Sequence, residues 1–96
     1  MKKQEIVSIL KELKNEAKQK YKAQVKGVFG SYVRGEEGNK SDIDVLVAFE
    51  KEANLLHLVG LSIFLGEKLH HPVDVVPDDS IREEIRDQIL KEAIYL

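Results

Sequence analysis

At 96 residues the chain has room for one domain with a limited core, so residues 1–96 are expected to fold as a single unit. Hydrophobic residues at 43% and charged ones at 33% exclude a disordered chain, and a net charge of −2 with no basic run beyond Lys2-Lys3 argues against nucleic acid as the main partner. The absence of cysteine excludes disulfides and thiolate metal sites, and no signal-peptide core or bilayer-spanning apolar stretch is seen, so a cytoplasmic protein without membrane contact is expected.

Ile6, Ile9, Leu10, Leu13 and Ala17 recur at helical spacing, which predicts an amphipathic helix over about 3–21. Residues 23–30 (AQVKGVFG) have the length and composition of a short strand ended by Gly30. Ser31 reads as an N-cap for a turn or two of helix over 32–36, and Gly38 and Asn39 mark a loop with solvated Glu36 and Glu37. Residues 42–49 (DIDVLVAF) form the clearest strand; their nearly continuous apolar run suggests a central position. Asn54 can cap a second long helix reaching about His70, striped by Leu55, Leu58, Ser62, Leu65 and Leu69 and widened by Leu56, Val59 and Ile63. Residues 72–77 (PVDVVP) give a third strand, and Ser80 with Glu83 has the form of a capping box. Ile81, Ile85, Ile89 and Ala93 would be the buried face of a last helix. The order α-β-α-β-α-β-α implies a small α/β (α+β) fold with a mixed three-stranded sheet.

Asp42 and Asp44, at i and i+2, would leave the same face of a strand with Cα atoms roughly 6.5–7 Å apart. Two like charges so placed call for a cation between them, and oxygen-only ligands favour Mg²⁺. Asp74, in the third strand, becomes a third ligand if that strand lies beside the second, and could accept the proton of an attacking hydroxyl. Gly30 ends a strand and permits close backbone approach, while Ser31 opens a helical turn whose free N–H groups suit phosphate. Arg34, one turn on, either adds a charged fork to those phosphates or is an ordinary surface arginine. A phosphate cradle facing metal carboxylates points to a nucleoside triphosphate with Mg²⁺.

The Gly-Ser pair, ten intervening residues and Asp-x-Asp resemble the signature of the DNA polymerase β-like nucleotidyltransferase superfamily. "GSYVRG", "SDIDVLV" and "VDVVP" in so short a chain look like the minimal nucleotidyltransferase (MNT) antitoxins paired with HEPN-domain toxins. The resemblance spans nearly the whole chain, and it departs from many relatives at Val33, where they carry alanine. It implies the polymerase β-like fold and transfer of AMP from ATP, with two Mg²⁺ ions, onto a tyrosine hydroxyl of a HEPN toxin. It carries the catalytic and metal roles to Asp42, Asp44 and Asp74, and nucleotide binding to Gly30, Ser31 and Arg34. The alternative is a non-catalytic antitoxin that neutralises its partner by complex formation. Transfer to RNA or a small molecule ranks below both, since no acceptor-binding region is evident. Assembly with itself or with the partner is left open.

Other residues carry blander readings. Ser41 caps a turn, and Asp78 and Asp79 complement a helix start. His57, His70 and His71 do not converge easily on zinc. Tyr21, Tyr32 and Tyr95 serve packing or an interface, with contact to the nucleotide base as Tyr32's other reading.

Overall fold

The computed structural model describes residues 2–35 and 42–96. Its elements are α1 (Lys3–Tyr21), β1 (Ala23–Phe29), α2 (Ser31–Arg34), β2 (Ile43–Phe49), α3 (Leu55–Leu69), β3 (Val73–Pro77), α4 (Glu83–Glu92) and β4 (Ile94–Tyr95). The loop expected at Glu36, Glu37, Gly38 and Asn39, and the turn cap at Ser41, lie outside the described residues.

Local chemistry sets the two long helices. α1 buries Ile6, Leu10 and Ala17, in keeping with its spacing. α3 opens on Asn54, whose side chain accepts from the N–H groups of Leu56 at 2.9 Å and His57 at 3.3 Å. His57 Nδ1 in turn accepts from the Asn54 N–H at 3.0 Å, so this histidine completes a reciprocal cap. The buried face of α3 is Leu61, Phe64, Leu65 and Leu69. That face is rotated from the expected stripe: Leu55, at 72% exposure, and Leu56, at 81%, stand in solvent.

The sheet has four strands in the order β3-β2-β1-β4, and this corrects the expected three. β1 runs antiparallel to both β2 and β4, and β2 runs parallel to β3, so the sheet is mixed as expected. The missed strand is Ile94–Tyr95, which pairs with Val28 and Gly27. Gly27 makes that pairing possible, because a Cβ there would overlap the Ile94 carbonyl oxygen and lie 3.1 Å from Tyr95 Cα.

Side chains alternate along β2, and Ile43, Val45 and Val47 join Val25, Val28 and Val75 in one core with Ile6, Leu10, Leu61 and Leu65. α1 and α3 therefore cover one face of the sheet. Each fully buried aliphatic side chain there contributes about 1.5–3 kcal/mol. Phe29 and Leu46 are also buried but belong outside that cluster, as expected for residues on the opposite face. Among the described residues, no helix is long and apolar enough to cross a membrane.

α4 departs from expectation twice. The Ser80–Glu83 capping box does not form: Ser80 Oγ donates to the Pro77 carbonyl at 3.0 Å, and the helix begins at Glu83 with Arg82 as N-cap. Nor does α4 bury a core face, since none of its residues is fully buried and Ile85 is 46% exposed. It is tied on by Arg86, which donates to the Asp78 carbonyl, and by the Arg34–Glu92 ion pair at 3.3 Å.

Candidate active site

With Ile43, Val45 and Val47 committed to the core, Asp44 takes the face that α1 and α3 leave open. The parallel register sets Asp44 directly opposite Asp74. Both carboxylates therefore rise from adjacent strands on the same face. Asp44 is half-buried and Asp74 exposed, so Asp74 avoids the desolvation cost that a fully enclosed carboxylate would meet. Asp42 is exposed and lies one residue before the start of β2.

Burial first, then the charges of Asp74 and Asp42, push the Asp44 carboxyl up from its ordinary 3.8 to about 6, against a smaller opposing pull from Arg34. Asp44 thus feels the charges of both other predicted carboxylates. They do not form a closed cage: among the described residues, no three His, Asp or Glu side chains are grouped to hold a metal ion. Mg²⁺ does not require one, because it takes one or two carboxylates and fills its other positions with water and phosphate oxygens. Crowded like charges with oxygen donors fit such a cation.

Gly30 meets this cluster edge-on. Its φ of +84° and ψ of −153° fall in a region reserved for glycine. A Cβ there would overlap Asp44 Oδ2 and lie 3.0 Å from Asp44 Cγ. The N–H groups of Val33 and Arg34 both donate to the Gly30 carbonyl at 3.1 Å, which makes Gly30, and not Ser31, the N-cap of α2. Ser31 and Tyr32 supply the first N–H groups of the turn, which a helix leaves without intrahelical partners.

Tyr32 is buried, and its hydroxyl hydrogen-bonds His71 Nε2 at 2.9 Å. The next residue, Pro72, accepts from the Ile43 N–H at 3.0 Å. The turn is thereby tied to the segment from which β2 and β3 both start. Tyr32 packs into the core cluster.

A cleft of about 290 Å³ opens at the turn, lined by Phe29, Gly30, Arg34 and Asp44 and, from α4, by Ile85, Gln88, Ile89 and Glu92. Wider hollows open elsewhere, one of about 510 Å³ beside Phe64, Glu67 and His70, but that one lacks the glycine turn and the strand-borne aspartates.

Residues 10–96 match the model of the nucleotidyltransferase domain. The chain belongs to the nucleotidyltransferase family. A protein of Thermococcus cleftensis named protein adenylyltransferase MntA is 40% identical over 93 residues, 97% of this chain and 94% of its own length. A solved minimal nucleotidyltransferase structure superposes with a TM-score of 0.74 at 34% identity, covering 94% of this chain and 95% of that one. A second structure, the tri-AMPylated Shewanella oneidensis HEPN toxin in complex with MNT antitoxin, shares the fold at a TM-score of 0.69 and 22% identity, over 97% of this chain and 70% of that one.

The α4 wall is the part of the cleft that sequence reasoning missed. Ile85, Gln88, Ile89 and Glu92 fall at i, i+3, i+4 and i+7, on one helix face. The two polar residues inside that stripe were the available signal that it meets a polar site rather than the core. Arg34 lines the cleft, where it pairs with Glu92.

Proposed function

We propose that this nucleotidyltransferase moves AMP from Mg²⁺-bound ATP onto a tyrosine hydroxyl of a HEPN-domain toxin, and so acts as its antitoxin. One observation carries the reading: Asp44 and Asp74 stand abreast on parallel strands, with the backbone of Gly30 against Asp44. The name of the Thermococcus relative, protein adenylyltransferase, and the AMPylated state of the Shewanella toxin support the choice of AMP and of a protein acceptor.

In this mechanism the N–H groups at Ser31 and Tyr32 hold the β- and γ-phosphates, and Arg34 adds its charge to them. Asp42, Asp44 and Asp74 are the residues that would hold Mg²⁺, as two ions in this reading. When bound, Mg²⁺ neutralises the charge that builds on the phosphates. Asp74, the exposed member of the strand pair, also takes the proton of the acceptor hydroxyl. The acceptor oxygen bonds to the α-phosphorus as the bond to the bridging oxygen breaks. Pyrophosphate leaves with that electron pair, opposite the incoming oxygen. Because Asp74 is open to solvent, the docked acceptor itself must exclude water from the reacting phosphate.

The test is incubation with ATP labelled on the α-phosphate, Mg²⁺ and the protein encoded by the neighbouring gene, which this reading expects to be a HEPN-domain protein. Label should appear on a partner tyrosine and fall by about a thousandfold or more in Asp44→Asn. Unlabelled partner, or undiminished transfer by that variant, refutes the proposal. Full neutralisation of the toxin in cells by Asp44→Asn would establish the binding-only antitoxin instead.

A further inference from the structure

β3 lies at the edge of the sheet, and among the described residues no strand pairs with its outer side. Its bonds to β2 fix which backbone groups are left over. The Pro72 carbonyl accepts from the Ile43 N–H at 3.0 Å, and the Asp78 N–H donates to the Val47 carbonyl at 2.8 Å, so the even-numbered positions face β2. In a parallel ladder the alternate positions, Val73, Val75 and Pro77, turn their backbone groups outward. Proline at an outward position forfeits no ladder bond, which leaves Val73 and Val75 as the open stretch on either side of Asp74. Phe29, Asp44 and Asp74 form one row across the sheet, and the next place in that row lies just off the free edge. On the α3 side of the edge is a hollow of about 470 Å³, bounded by Ile63, Gly66, His70, Pro72 and Val73. Ile63 is 58% exposed, and Val59 and Leu56, exposed at 44% and 81%, continue its apolar surface along α3.

We propose that the acceptor protein docks on this edge as an added antiparallel strand, through an extended segment that carries a tyrosine between two apolar residues. Val73 and Val75 exchange N–H···O bonds with the two residues flanking the tyrosine, whose side chains fall on the α3 face, toward Val73 and Ile63. The tyrosine stands opposite Asp74 as a non-hydrogen-bonded pair, with Cα atoms about 4.5 Å apart and both side chains on the open face of the sheet. The direction agrees with the chemistry. Pyrophosphate leaves toward Gly30 and Ser31, at the β1 end of the Phe29–Asp44–Asp74 row, so in-line attack comes from the β3 end. A helix laid on the same edge would satisfy none of the outward backbone groups, because its own are paired internally. An added strand also covers Asp74, which supplies the exclusion of water that the isolated chain lacks there. This placement rests on the nucleotidyl-transfer reading and deepens it with the form of the acceptor.

The experiment is amide hydrogen exchange, read residue by residue by NMR on the full chain, free and saturated with the protein encoded by the neighbouring gene, alongside transfer of labelled AMP to that protein. In the free chain the outward amides of Val73 and Val75 should exchange fast and those of Asp74 and Val76 slowly; in the complex the outward pair should slow by about tenfold or more. Ile63→Ser should raise KM for the partner about fivefold, the effect of leaving roughly half an aliphatic side chain uncovered, and leave kcat unchanged. Since Ile63 is 58% exposed in the free protein, that substitution should spare the fold. Unchanged exchange at Val73 and Val75 in a complex that transfers label, or an unchanged KM, overturns the added strand and leaves the transfer reading intact. Protection of both amides without label keeps the docking edge and refutes transfer. Protection already present in the free chain and rising with its concentration gives the edge to a second copy and overturns the proposal. A partner that neither binds nor takes label overturns both readings.

Discussion

Gly30→Ala probes the contact on which the site geometry turns. The residue sits at φ +84° and ψ −153°, where a side chain costs about 1–3 kcal/mol in backbone strain alone. The new methyl would also overlap Asp44 Oδ2 and press on Cγ at 3.0 Å, and overpacking of this kind adds about 1 kcal/mol or more. Together these remove about 2–4 kcal/mol from a domain whose whole stability is roughly 5–14 kcal/mol. At about 4–8 °C per kcal/mol, the melting temperature should fall by roughly 10–30 °C, read by circular dichroism without ligand. The double variant Gly30→Ala/Asp44→Ala keeps the strain and removes most of the clash, so the two substitutions should be non-additive by about 1 kcal/mol. A Gly30→Ala protein melting within about 3 °C of wild type, or strict additivity in the double variant, would refute the reasoning.

Asp44 should make stability depend on pH. Its folded pKa, about 6, exceeds the ordinary 3.8, so the folded chain holds the proton longer than the unfolded one. Stability from this group then falls as pH rises from about 4 to about 6 and levels off above, and Asp44→Asn should raise the cation-free melting temperature at pH 8 while abolishing transfer. A lower melting temperature for that variant at pH 8 would contradict the crowded-carboxylate picture. Gly27→Ala should expel β4, at a cost of about 1–3 kcal/mol, and speed amide exchange at Leu96, whose N–H donates to the Lys26 carbonyl at 2.9 Å; unchanged protection would count against it. Tyr32→Phe keeps the ring and loses the bond to His71 Nε2, so it should cost about 1 kcal/mol, and an unchanged melting temperature would show that the bond contributes nothing.

Legibility followed the strength of the local signal. β2 was readable because a branched apolar run flanked by charges has few other folds, and Asp44 and Asp74 were readable as a pair once β3 was placed beside it. α3 announced its start through Asn54, but a helix apolar on more than one side does not say which side is buried, and Leu55 and Leu56, placed on its apolar stripe, stand in solvent. β4 was hidden for another reason. A two-residue strand carries no period, and Ile81, Ile85, Ile89 and Ala93 continued a helical pattern up to its edge. Its existence depends on the missing side chain of Gly27, more than sixty residues away, which no local reading supplies. The same stripe misassigned α4 to the core, because periodicity reports that a face is apolar and not what it faces.

The most direct measurement is a crystal structure of the chain with Mg²⁺ and a non-hydrolysable ATP analogue. A cation within roughly 2.1 Å of a carboxylate oxygen of Asp44, bridging to phosphates seated on the Ser31 turn, is the predicted result. A nucleotide bound away from Gly30 and Ser31, or a cation that leaves Asp44 and Asp74 untouched, would contradict it.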